Sequence, residues 1–296
     1  MPDWDIVVIG GGAAGLSAAA AAAGAGLSCL IIDRMGGGGE LMNLGPLLDL
    51  DEQLTGPDLA GRLLEEATTA GAELGVAEVT GLAPEGTCWH VTTDDASHTA
   101  RAVILAIGLA PGTLGLDGED TYESRGLSHC AVCDGPLFRG EPVVVAGADR
   151  WAQLEAHELA ATASQVTLVT QGAPAPAIDG VTVMQGRITA LEGAAGLDSV
   201  LVQPDAGGAP QNLPTRVVFI QTGRRPALGF APDGLARDPD GSLVTDTALQ
   251  CSLPRLFAAG DARSGAPRTL AAAMAEGRRA AGAVRDALKP LGSDAE

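Results

Sequence analysis

Asp5-Ile-Val-Val-Ile-Gly10-Gly-Gly-Ala-Ala-Gly15-Leu-Ser-Ala-Ala-Ala20 stands close to the start of the chain. The apolar run over 5–9 reads as a buried strand. The glycines after it read as a turn, and the alanine-rich stretch over 13–25 reads as a helix, alanine being the best helix former. The turn fits G-x-G-x-x-G between a strand and a helix. Gly10 allows the tight bend, Gly12 lets the backbone approach a pyrophosphate, and Gly15 lets helix pack on strand. The helix N-terminus at Ala13 and Ala14 offers free N–H groups and a partial positive charge to phosphates. A second strand over 28–33 ends in Asp33, 23 residues after Gly10, where a carboxylate can accept a ribose hydroxyl. The alternative is a glycine-rich turn without a ligand, but strand, helix and acid together favour a dinucleotide.

Working outward, a helix is expected over 57–70, strands over 77–80, 89–92 and 103–107, and a linker over 111–119. A second strand–turn–helix then opens at 143–146 and continues as a helix over 151–163, with a strand over 166–169. The stretch 172–180 (GAPAPAIDG) reads as a loop. Short strands over 181–184, 200–203 and 217–220 follow, then a linker-like run over 232–241, a strand over 256–258 and a helix over 269–288. The β-turn-α unit thus occurs twice, Gly147 standing 137 residues after Gly10. The expected architecture is α/β: two doubly wound, Rossmann-like nucleotide-binding domains, the second inserted in the first. The first comprises 1–113 and 244–296, the second 117–240.

The chain has 296 residues with 18 Lys and Arg against 37 Asp and Glu, a net charge of −19. That balance argues against nucleic acid and anionic membranes, and aromatics at 3% leave few stacking platforms for bases. No apolar run is long enough for a membrane span, and 13–24 lacks the basic flank and cleavage site of a signal peptide. A cytoplasmic protein is expected. Of five cysteines, Cys130 and Cys133 form a C-x-x-C; Cys29, Cys88 and Cys251 stand alone. The pair reads as a redox dithiol, half of a zinc site or a structural pair. A four-thiolate zinc site needs a second pair, which the isolated cysteines do not form, and spacing favours redox chemistry. No metal is expected.

Gly126-Leu-Ser-His-Cys130-Ala-Val-Cys133-Asp134-Gly135-Pro-Leu-Phe-Arg139 resembles the active-site segment of the low-molecular-weight thioredoxin reductases, and the resemblance runs nearly end to end. Gly10 to Gly15 resembles that family's FAD phosphate turn, and Leu54-Thr-Gly-Pro57 a segment before a helix of its FAD domain. Ala106-Ile-Gly108 and Gln221-Thr-Gly223 stand where its chain crosses between domains. Gly260-Asp261 matches the segment whose aspartate binds the flavin ribitol, and Arg268-Thr269 stands where an Arg-Gln pair meets the flavin. The resemblance implies FAD as cofactor, a homodimer, Cys133 beside the flavin, Cys130 as the exchange thiol and Asp134 as the acid/base for exchange. Gly38-Gly39-Glu40-Leu41 stands for the family's Gly-Gly-Gln-Leu, and Asp49 falls where a flavin-contacting Asn is found.

The second turn departs from the pattern. It reads Gly147-Ala148-Asp149-Arg150-Trp151-Ala152, so a carboxylate replaces the glycine that admits a pyrophosphate. The strand over 166–169 runs into Thr170-Gln171-Gly172, and no Lys or Arg occurs between Arg150 and Arg187 to read a 2′-phosphate. NADPH binding is therefore in doubt. The reading is an FAD enzyme of the pyridine-nucleotide-independent kind. It exchanges electrons between the Cys130/Cys133 pair and a thioredoxin-like protein or small-molecule disulfide or dithiol, with ferredoxin or another electron-transfer partner. The alternatives are an oxygen-using dithiol oxidase, an ordinary NADPH-dependent thioredoxin reductase and a non-catalytic flavin redox sensor.

Overall fold

The computed structural model describes residues 2–45, 47 and 54–289. They fall into two compact units, Met1–Leu109 with Arg225–Glu296, and Ala110–Arg224. The first segment comprises β1 (Trp4–Ile9), α1 (Ala13–Gly24), β2 (Cys29–Asp33), α2 (Gly56–Thr69), β3 (Glu73–Val76), β4 (Val79–Glu85), β5 (Cys88–Thr93) and β6 (Ser97–Leu105). The chain leaves that unit through β7 (Ala110–Pro111) and passes through β8 (Leu127–Ser128), α3 (Ala131–Asp134), β9 (Pro142–Ala146), α4 (Arg150–Leu159) and β10 (Gln165–Val169). Next come β11 (Thr182–Met184), β12 (Gly186–Glu192), β13 (Ser199–Pro204), β14 (Gln211–Pro214), β15 (Val218–Ile220) and β16 (Arg224–Arg225). Back in the first unit, β17 (Leu256–Ala258) and α5 (Leu270–Leu288) follow.

In the first unit β1 lies between β2 and β6, all parallel, with Ile9 opposite both Ile32 and Leu105. The three strands therefore end level, and the residues after each meet at one edge. β3 extends the sheet beyond β2, β17 pairs with the second half of β6, and β5 and β4 run antiparallel from its first half. A sheet covered on both faces needs apolar side chains on both, hence the uninterrupted run of β1. Ile6 and Val8 pack toward α1, α2 and α5, and Val7 and Ile9 toward a second core containing Trp89 and Leu243. Alanines let α1 sit close to α5: a Cβ on Gly277 would stand 2.0 Å from the Ala14 carbonyl oxygen. At the start of α2, Thr55 and Asp58 cap each other reciprocally, satisfying two orphan N–H groups.

The second unit repeats the plan. Its parallel sheet has the order β11-β10-β9-β15-β8, with Ala146 opposite Val169 and Ile220, and β12-β13-β14 form a separate antiparallel meander. The repeat extends to single hydrogen bonds. Gly10 N–H donates to Ile32 O and Gly147 N–H to Val169 O, both at 2.9 Å, while Ala106 N–H donates to Ile9 O and Gln221 N–H to Ala146 O.

Several expectations need correction. The stretch 225–240, expected in the insert, belongs to the first unit, because Leu228 and Leu235 bury in its core and Leu82 N–H donates to Phe230 O. The linker expected over 111–119 is a pinned loop: the buried Glu119 carboxylate accepts the N–H groups of Leu114, Gly115 and Leu116. The strand expected over 77–80 is the junction of β3 and β4. α4 stops at Leu159 rather than 163, since the N–H groups of Thr162 and Ala163 both return to the Leu159 carbonyl. β12 and β14 were not expected. Among the described residues no helix is long and apolar enough to cross a membrane, and no His, Cys, Asp and Glu group is arranged to hold a metal.

Candidate active site and nucleotide turns

At the edge where β1 ends, Gly10 has φ +100°, and a Cβ there would stand 2.5 Å from Ala106 O. A Cβ on Gly15 would stand 1.9 Å from Gly10 O, so only glycine lets α1 come this close. Gly12 has another reason to be small. Its backbone is extended (φ −76°, ψ −172°), a Cβ would meet nothing within 4 Å, and no side chain caps α1. The first N–H groups of the helix are thereby left to an anionic group.

The neighbouring residues frame this opening. Asp33 accepts the Gly11 N–H at 2.7 Å on one oxygen and those of Met35 and Gly37 at 2.8 and 3.0 Å on the other. The carboxylate thus ties the glycine turn to the next loop, and its remaining lone pairs can still accept a hydroxyl. Gly38 N–H donates to Gly11 O, bringing the 3₁₀ turn Gly39–Asn43, with Glu40 and buried Leu41, beside Gly12. Gly108 (φ +60°) follows Ala106 in the bend after β6. Gly260 packs on Ala14 and opens the 3₁₀ turn that carries Asp261. Glu276 holds that turn by accepting the Gly260 N–H at 2.9 Å and two N–H groups of Arg263. Burial works to raise the pKa of Glu276, but Arg263 and the Gly260 N–H outweigh it and hold the carboxyl below the usual range. Arg268 (φ +55°, exposed) and Thr269, whose hydroxyl accepts the Ala272 N–H, stand at the start of α5. Asp49 lies outside the described residues.

The second turn has the same backbone and a different chemistry. Gly147 (φ +151°) faces Gln221 O as Gly10 faces Ala106 O, and Asp149 has Gly12's conformation, φ −70° and ψ 176°. Its carboxylate folds back to accept the Ala152 N–H at 2.9 Å, capping α4. An N–H that α1 leaves to a ligand is satisfied internally in α4. Trp151 is exposed beside it. At the end of β10 the meander supplies what the local sequence lacks: the Arg187 guanidinium lies against Gly172, where a Cβ would stand 2.1 Å from it.

In the same unit Cys130 and Cys133 are disulfide-bonded, with Cys133 exposed and Cys130 half-buried. Cys130 is the N-cap of α3, and its Sγ accepts the Cys133 N–H at 3.2 Å, a donor ready for a thiolate when the disulfide opens. Asp134, on the same turn, accepts a hydrogen bond from Ser128. His129 pairs with Glu123 at 3.2 Å. Glu155 of α4 stands by α3: burial pushes its carboxyl above the usual range, against a hydrogen bond from Gln221, with Glu158 and Asp149 adding to the rise and the Ala131 N–H opposing it. Burial pushes the Cys29 and Cys251 thiols up to about 12, so these are inert apolar residues. Sequence reasoning missed Ser128, Glu155, Arg187 and the Glu276–Arg263 pair. Only Ser128, two residues before the first cysteine, carried a local signal.

Two doubly wound modules, one with an open phosphate turn and one carrying a C-x-x-C disulfide beside a carboxylate, define a nucleotide-binding thiol–disulfide oxidoreductase. The model of the pyridine nucleotide-disulphide oxidoreductase family matches residues 4–277, and the chain belongs to that family. It is similar to the thioredoxin reductase of Treponema pallidum (strain Nichols), 32% identical over 307 residues that cover 98% of each chain. Among solved structures, Lactococcus lactis thioredoxin reductase in its FR conformation superposes with a TM-score of 0.77 at 27% identity, covering 98% of this chain and 100% of that one. A ferredoxin-flavin thioredoxin reductase from Clostridium acetobutylicum matches with a TM-score of 0.54 at 26% identity, over 96% and 97% of the two chains. The chain is thus an FAD-dependent, thioredoxin-reductase-like oxidoreductase, and its open first turn fits the pyrophosphate of that cofactor.

Proposed function

We propose that the protein moves electrons between FAD, held on the first unit, and an external disulfide or dithiol through Cys130 and Cys133, without tight use of NADPH. The FAD residues are Gly10, Gly12, Ala13, Ala14, Gly15, Asp33, Glu40, Leu41, Asp49, Ala106, Gly108, Gly260, Asp261, Arg268 and Thr269. Bound there, FAD supplies two-electron transfer to the Cys130–Cys133 disulfide. In the dithiol form, the Cys130 thiolate attacks one sulfur of the external disulfide, forming a mixed disulfide as that S–S bond breaks, and the departing thiolate takes a proton. Cys133 then attacks the Cys130 sulfur, which restores the internal disulfide and releases the second thiol. Two electrons and two protons have passed to the substrate, a thioredoxin-like protein or a small-molecule disulfide. Asp134 moves protons during the exchange. The enzyme works as a homodimer.

The observation that carries the nucleotide reading is Asp149, whose carboxylate occupies the Ala152 N–H where a pyrophosphate oxygen belongs. The loop 172–180 adds no base, and the electron donor is then ferredoxin or a similar electron-transfer protein. The ferredoxin-flavin relative in Clostridium acetobutylicum accords with that donor. Two observations favour a second reading, an ordinary NADPH-dependent reductase. Arg187 brings a cation to the end of β10, and the Treponema pallidum and Lactococcus lactis thioredoxin reductases match this chain more strongly than the ferredoxin-flavin one does.

Anaerobic titration of the flavoprotein with NADPH, followed at the flavin band near ~450 nm with dithionite as control, separates the two. Dithionite alone should bleach the band. Stoichiometric bleaching by NADPH within seconds establishes the second reading and refutes the first.

A further inference from the structure

Ser128 is buried at 5% exposure on β8, opposite Phe219 of β15, so the sheet fixes its side chain. Its hydroxyl has one proton to give. The Asp134 carboxylate lies 2.7 Å away and the Cys130 carbonyl 3.4 Å away, so the proton goes to the carboxylate. The same oxygen accepts the Cys130 N–H at 3.2 Å. One buried hydroxyl thus bridges the acid and the backbone of the first cysteine, and Asp134 N–H closes the ring by donating to Cys130 O at 3.0 Å.

We infer that Ser128 is the positioning residue that holds Asp134 against the exchange cysteines and keeps its carboxylate able to take and return the proton of disulfide exchange. The inference rests on the proposed role of Asp134. The hydroxyl uses both its proton and a lone pair within the active-site turn. The ionisable groups around that turn are Cys130 and Cys133 on α3, His129 before it, Arg139 after it, and Glu155 and Glu158 on α4. None of them donates to Asp134 among the described hydrogen bonds, so Ser128 carries the orientation.

The test uses the purified flavoprotein, reduced with dithiothreitol, desalted, and mixed anaerobically with either of two disulfides. Bis(2-hydroxyethyl) disulfide releases a basic thiolate that needs a proton; dithiobis(nitrobenzoate) releases one that does not. Oxidation of Cys130 and Cys133 is followed by quenching, alkylation and mass analysis from about pH 5 to about pH 9.

Ser128→Ala should slow the hydroxyethyl reaction about tenfold at neutral pH, as loss of a hydrogen bond that orients a carboxylate implies. The nitrobenzoate reaction at neutral pH should change less than about twofold. Ser128→Thr should restore the wild-type profile and Ser128→Val should not. That isosteric pair carries the test should the Ala variant lose its fold.

A Ser128→Ala profile equal to wild type, with Asp134→Asn slowed, overturns this inference alone. So does equal slowing of both disulfides that Ser128→Thr does not restore. An unaltered Asp134→Asn enzyme overturns the proposed role of Asp134 as well.

Discussion

Replacing Asp149 with Ser separates its two effects. Serine caps a helix about as well as aspartate does, so α4 keeps its first turn and the melting temperature should stay within a few degrees of wild type. What changes is charge. In the wild type the carboxylate and a pyrophosphate oxygen compete for the Ala152 N–H, 2.9 Å from Oδ1. If the carboxylate swings aside, the two negative charges still stand about 5 Å apart, which at an effective dielectric near 20 costs about 3 kcal/mol. That is roughly a hundredfold in affinity. The assay is quenching of Trp151, exposed two residues from the substitution, on titration with NADP⁺. Asp149→Ser should tighten binding by up to about a hundredfold over a weak wild type. Unchanged affinity, or a wild type that already binds tightly, would refute the electrostatic argument. Comparing NADP⁺ with NAD⁺ in the Ser variant then tests Arg187: a preference for NADP⁺ lost on Arg187→Gln assigns it the 2′-phosphate.

Three further outcomes follow from other parts of the molecule. In the oxidised native protein iodoacetamide at mild alkaline pH should modify Cys88 and spare Cys29 and Cys251, whose thiols burial pushes up to about 12; after reduction Cys130 and Cys133 should join, as peptide mass analysis will show. Glu276→Gln strands the largely buried Arg263 charge and should lower unfolding free energy in denaturant by about 3–5 kcal/mol. Because the folded-state pKa of Glu276 is depressed, its contribution is complete above the ordinary glutamate range and is lost as pH falls through the lowered value, so the variant should show a flatter acid limb of stability. Glu155 has the opposite sign: folding raises its pKa, so stability falls as pH rises through that window, and Glu155→Gln should raise the melting temperature at neutral pH with the gain vanishing in acid.

The first turn was legible because its glycines act through the backbone: each is required by an atom that a Cβ would strike, or by the helix end it leaves open. Most strands of the two parallel sheets were legible as apolar runs, but β3, a half-exposed edge strand, and the two-residue β8 were not. β12 and β14 were not, because they belong to a meander with one exposed face, and Gln211-Asn-Leu-Pro214 offers no apolar run to find. Nor could composition place 225–240, since the glycines and prolines that suggest a linker there surround Leu228 and Leu235, which bury in a core built by distant strands. Arg187 illustrates the general obstacle. It lies 17 residues beyond Thr170 in sequence and reaches the end of β10 only because β12 turns back beneath it.

The two turns can be compared almost atom for atom, and that comparison bears on what an aspartate at 149 does. Gly12 and Asp149 share an extended backbone open to any residue, so glycine at 12 is not demanded by conformation. Nothing stands within 4 Å of a Cβ at Gly12, so it is not demanded by the protein's own packing either. The remaining reason for glycine is space and bare N–H groups for a ligand. At 149 that space is taken by a side chain that also satisfies the helix, and the fold around it is unchanged: Gly147 keeps its bend and α4 its start. Under the proposed function, that is the pattern of a turn that gives up a ligand while keeping its stability. The proposed function accordingly has the electrons for Cys130 and Cys133 enter through the first unit, where the corresponding helix end is open.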